Sequence, residues 1–150
     1  MTTEQSLQVV EQFFQAWNDK DWDRWGQFHA DHAHHTGPDH AQPLDGRDAI
    51  LNAHRGLGRV LPDFRYDITR LFGQDDRVCA EWTLTGTHQG PLPAPGGKIE
   101  PTGRTVKIAG CFVFKVADGK VTEYAGHVDF LGMYVQLGAV PPLSSDVGRR

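Results

Sequence analysis

An α+β fold, with helices first and an antiparallel sheet after them, is predicted by three features of this 150-residue chain. Up to Leu61 the apolar residues recur at helical spacing. From Phe64 onward the period falls to two, the repeat of a strand with one buried face. The strand-like runs then follow one another without intervening helices, which is the order of an α+β domain and not of a parallel α/β fold.

Each element has a local reason. Leu7, Val10, Phe14 and Trp17 form the stripe of a first helix, and Thr2 with Gln5 provides a capping box ahead of it. Asp21 caps a short second helix carrying Trp22, Trp25 and Phe28. A third begins after Asp45, places the negative charge of Asp48 in its first turn, presents Ile50, Leu51, His54, Leu57 and Leu61 inward, and stops before Pro62. Ala33 to Gly37 reads as a brief strand, and Pro38 to Leu44 as a loop. The main strands are expected at 64–71, 77–84, 105–116 and 121–124, with turns at Gly73-Gln74-Asp75-Asp76 and Ala117-Asp118-Gly119-Lys120. Pro91 to Glu100, rich in proline and glycine, is expected to be a loop over the mouth of a pocket. Residues 1–140 read as one domain, and 141–150 as a flexible tail.

Composition excludes several classes of function. A hydrophobic content of 39%, charged content of 23% and net charge of −4 describe a soluble globular chain. They leave no basic footprint for nucleic acid. No apolar run approaches the ~20 residues of a membrane helix, and Met1 to Gln5 has no signal-peptide character, so a cytoplasmic location is expected. Cys79 and Cys111 fall in strand-like runs and are expected as buried thiols. His29, His32, His34, His35 and His40 lie close together in sequence. A metal site needs three or four converging side chains, however, and His32, His34 and His35 on an extended segment point to opposite faces. Neither a metal nor a cofactor is expected.

The ordered motifs Gly86-Thr87-His88-Gln89-Gly90, Pro101-Thr102-Gly103-Arg104, Asp118-Gly119-Lys120-Val121, Asp129-Phe130-Leu131-Gly132 and Gln136-Leu137-Gly138 make the chain resemble the SnoaL-like polyketide and ester cyclases of the NTF2-like superfamily. That resemblance implies a cone: three N-terminal helices packed on a curved antiparallel sheet, enclosing one pocket. It also implies a general acid/base aspartate ten residues before the closing motif. This chain has Gly126 there, and its absence is expected to leave space in the wall. The resemblance further makes His35 a pocket residue, with His34 beside it, because the family's first short strand presents a polar pair at this place. His88, in the intact Gly-Thr-His-x-Gly motif, is the first choice of proton-transfer group; the alternative is an edge histidine bonded to a loop. Asp129 and His127 are further catalytic candidates, although Asp129 is equally placed to cap the last helix. Trp17, Trp82, Phe112 and Tyr124 are expected to bind substrate, since such cones are only partly filled by their own side chains.

The expected activity is proton abstraction on a small apolar carbonyl compound, with intramolecular aldol cyclisation of a polyketide as the family analogy. The alternatives are another proton-transfer enzyme, such as an isomerase or epoxide hydrolase, or a non-catalytic binding protein for a hydrophobic molecule. The expected partners are a small apolar or aromatic ligand and a second copy of the chain, joined through the outer sheet face bearing Cys79, Glu81, Thr83 and Thr85.

Overall fold

A computed structural model describes residues 1–144; the remainder of the expected tail, residues 145–150, lies outside the described residues, and 141–144 have no regular structure. The elements run α1 (Thr3–Asn18), α2 (Trp22–Gln27), β1 (His29–Thr36), β2 (Leu44–Asp45), α3 (Arg47–Val60), β3 (Arg65–Gln74), β4 (Arg77–Thr87), β5 (Leu92–Ala94), β6 (Gly97–Ile99), β7 (Thr105–Ala117), β8 (Lys120–Val128) and α4 (Phe130–Gln136). This is the α+β order expected, with helices packed on one curved sheet.

The local rules hold at the helix ends. Thr2 and Gln5 form the reciprocal capping box of α1, Asp21 accepts from the Arg24 N–H at the start of α2, and Asp129 accepts from the Gly132 N–H at the start of α4. The α1 stripe is wider than the spacing predicts, because Val9 and Phe13 are buried beside Val10, Phe14 and Trp17 while Leu7 is only half-buried. Asn18 pins the end of α1 to β3 by bonding both the N–H and the carbonyl of Tyr66, at 2.7 Å each.

Six strands form the main sheet, in the order β2-β1-β8-β7-β4-β3. The expectation of a purely antiparallel sheet is corrected at one seam, where β1 runs parallel to β8, pairing His35 with Tyr124 and Thr36 with Ala125. The reason is connectivity: β1 precedes the meander and returns to its last strand, so its direction is set by a long crossover and not by a hairpin. This pairing also extends the strand back to His29. Along β4 and β7 the alternation is clean, with Ala80, Trp82, Leu84, Ile108, Phe112 and Phe114 inward. Register shifts between Ile68 and Arg70 on β3, and between Lys115 and Val116 on β7, bend the sheet around the helices.

Pro91 to Glu100 is corrected from loop to a small separate hairpin, β5 paired with β6. The two cysteines are free and half-exposed, on the outward face of β4 and β7 instead of in the core. Partial burial and the neighbouring Cys111 push the Cys79 thiol upward. No described helix is long and apolar enough to cross a membrane.

Candidate active site

The predicted site residues separate into four places. His34 is at the surface, where its Nδ1 meets the Asp45 carboxylate across the β1–β2 pair.

His88 belongs to a clasp. The Thr87 N–H and hydroxyl both donate to Asp63, at 2.7 and 2.8 Å, and hold that carboxyl below its usual range. The Gln89 and Gly90 N–H groups donate to the Val60 carbonyl, at 2.9 and 3.2 Å. A Cβ on Gly90 would stand 2.1 Å from the Arg59 carbonyl oxygen, and one on Gly86 would stand 2.9 Å from Leu61 Cβ. The motif therefore locks the end of α3 to the end of β4, and its glycines permit that approach. The His88 ring is fully buried, and its Nδ1 accepts from the Thr102 N–H at 3.1 Å, with the Thr102 hydroxyl at 3.0 Å. An Nδ1 used in this way leaves the neutral ring its proton on Nε2, which is buried without a partner. His88 thus offers a hydrogen-bond donor, and its accepting nitrogen is already occupied.

His127 and Asp129 are exposed and border an open groove of about 880 Å³ on the outward side of the sheet. Thr36, Gly37, Pro38, Glu81, Thr83, Cys111 and Gly126 also line it.

His35, Trp17, Phe112 and Tyr124 meet in the interior. Their rings pack closely against one another and against neighbouring aromatics. Trp17 stacks on Tyr66 at 4.2 Å and on Trp25 at 4.9 Å, and Trp82 packs against Phe112 at 5.1 Å between centroids. The space expected at Gly126 is occupied. A Cβ built there would lie 2.8 Å from Phe112 Cε1 and 3.6 Å from His35 Cε1. Where the resemblance places a carboxylate, this chain puts an aromatic edge and an imidazole.

Three interior histidines share one arrangement. The Nδ1–H of His29 donates to the Trp25 carbonyl (3.0 Å), that of His35 to the Tyr124 carbonyl (3.0 Å) and that of His54 to the Ile50 carbonyl (2.9 Å). A carbonyl only accepts, so each neutral ring keeps its lone pair on Nε2. His29 uses that lone pair to accept from the Tyr124 hydroxyl at 3.4 Å, which commits Tyr124. Burial lowers His29 to about 4, His35 to about 3 and His54 to about 4, with His54 adding to the effect on His35 and Asp39 partly opposing it. All three are neutral at pH 7. Burial also drives the hydroxyls of Tyr66 and Tyr124 well above their ordinary range.

Sequence reasoning missed His54, His40 and Asp39 as members of this group. A histidine on the inward stripe of α3 was the available signal for His54, but nothing in the spacing pairs α3 with the end of β1. His35 and His54 lie 4.9 Å apart between ring centroids, with His40 at 5.6 and 6.0 Å from them. The Asp39 carboxylate stands 3.2 Å from His40 Nε2, outside hydrogen-bond alignment. Gly37 and Gly126 line the groove and also abut His35. Little but backbone therefore separates the groove from this cluster.

The chain belongs to the SnoaL-like polyketide cyclase family, whose family model matches residues 7–137. Among solved structures it is similar to AclR from Streptomyces galilaeus, designated a hydroxylase, with 23% identity over 99% of this chain and 90% of that one and a TM-score of 0.82. A SnoaL-like polyketide cyclase designate from Jannaschia sp. CCS1 shares 22% identity over 94% and 96% of the two chains at a TM-score of 0.81. A ketosteroid isomerase designate from Kribbella flavida shares 17% over 99% and 90% at 0.66. At these identities the likeness concerns the NTF2-like fold. No curated protein matches the chain in sequence.

Proposed function

We propose that this protein catalyses proton transfer on a small, largely apolar carbonyl compound, closing a ring by intramolecular aldol addition, with His35 as the general base. The observation that carries this reading is the His35 imidazole beside Gly126, neutral at pH 7 and with its Nε2 lone pair unused by the backbone. In this scheme His35 Nε2 takes a proton from carbon, the resulting enolate carbon attacks a second carbonyl of the same molecule, and the new alkoxide recovers the proton. The balance requires neither an oxidant nor a redox cofactor. A base whose conjugate acid is this strong suits only an acidic C–H, so the substrate class is a compound whose reacting carbon lies between two carbonyls. The indole N–H groups of Trp17, Trp25 and Trp82 are buried without partners, and such donors favour a developing enolate oxygen.

The test is turnover of a panel of poly-β-ketone esters. His35→Gln is expected to lower the rate at least about a hundredfold with an unchanged melting temperature, while His88→Gln stays within about tenfold of the parent. The reverse pattern would make His88 the base. Unchanged turnover in both, with altered ligand affinity, would support a hydrophobic binding protein.

We propose also that the outward face of β4, β7 and β8 pairs with a second copy. Cys79, Thr83, Ala109, Val113 and Ala125 give it an uncharged strip beside the Arg77–Glu123 and Arg70–Glu81 ion pairs, and Val113 is 39% exposed in the single chain. Sedimentation at micromolar concentration is expected to show a dimer; a monomer refutes the pairing.

A further inference from the structure

We infer that His35, His40 and His54 form a binding site for a divalent transition ion of the zinc class. One nitrogen from each of the three lies within 4.8 Å of the others. Nitrogens sharing a tetrahedral zinc at 2.0–2.1 Å stand about 3.4 Å apart, so the widest pair needs to close by at most roughly 1.5 Å. His40 follows the Gly37-Pro38-Asp39 turn and lies outside the helices and strands.

The surroundings are those of a ligand set. His35 and His54 each donate Nδ1–H to a backbone carbonyl, which fixes the ring and turns the Nε2 lone pair away from that bond. Both are more than nine-tenths buried, and the Nε2 of His40 is buried without a hydrogen-bond partner. The Asp39 carboxylate, 3.2 Å from His40 Nε2, places a negative charge beside the three rings. Imidazoles without thiolates suit zinc, copper or nickel over magnesium or calcium.

The ion would take the lone pair that the proton-transfer scheme assigns to His35, so zinc is expected to inhibit turnover. The metal site itself does not rest on that scheme, and its test needs no substrate. Full-length protein dialysed against EDTA is titrated with Co²⁺ and followed by its visible absorption. A tetrahedral-type spectrum is expected to saturate at one ion per chain and to be displaced by Zn²⁺. His40→Ala, a change on a turn outside the aromatic core, is expected to weaken binding by at least about 100-fold, beyond what outer-shell partners usually contribute, without altering the melting temperature. His54→Gln provides a second removal from another element. The absence of a saturable spectrum, or a spectrum unchanged by His40→Ala, would overturn the site.

Discussion

Metal-free protein is expected to lose stability steeply as the pH falls from about 6.5 towards 4. The cause is burial of His29, His35 and His54, whose ordinary value of 6.5 is lowered to about 4, 3 and 4 in the folded chain. Between those limits the unfolded chain binds protons that the folded chain refuses, so protonation favours unfolding. The contribution is fully present above the unfolded value of 6.5 and is lost as the pH drops towards the folded values. Each proton of difference contributes about 1.4 kcal/mol per pH unit, so three histidines set a limit of about 4 kcal/mol per unit. Denaturant unfolding in EDTA at pH 7, 6 and 5 measures it. A free energy constant across that range would mean that the interior histidines are charged or exposed in solution.

The second large effect concerns restoring the carboxylate implied by the family resemblance. Gly126→Asp is expected to destabilise the protein by about 3 kcal/mol or more, since it overpacks the core and buries a charge with no cation facing it. The new Cβ would meet Phe112 Cε1 at 2.8 Å and Cδ1 at 3.1 Å, and the ring is held by Trp82, Phe14 and Tyr124 around it. Made in a Phe112→Ala background, the same substitution should cost less by an amount within the roughly 0.5–3 kcal/mol found for contacting pairs. Equal costs in the two backgrounds would show that Phe112 is not what fills the place of the acid.

The caps at Thr2, Asp21 and Asp129, the inward stripe of α3 and the alternation along β4 were legible because each depends on neighbours in sequence. The family motifs were legible too, but their work was not. The Gly86–Gly90 motif reads as a histidine brought close to a ligand, whereas its glycines and Thr87 serve the junction of α3 with β4. Gln136, in the closing motif, likewise bonds both the N–H and the carbonyl of Lys107, at 2.8 and 2.9 Å, and fastens α4 to β7. In both cases the partner lies tens of residues away, and spacing carries no record of it.

By itself the sequence determined the α+β class, the helix caps, the inner and outer faces of the central strands, and the absence of an aspartate at Gly126. These follow from periodicity and residue type, which act over a few positions. Only the tertiary structure decided that β1 joins β8 in parallel. That crossover brings His35 and the Gly37–His40 turn against His54 of α3. It decided as well that Phe112 and His35 close the wall at Gly126. Burial lowers the proton affinity of these histidines, and burial belongs to the packed chain: the same imidazoles in an extended chain would be ordinary ones.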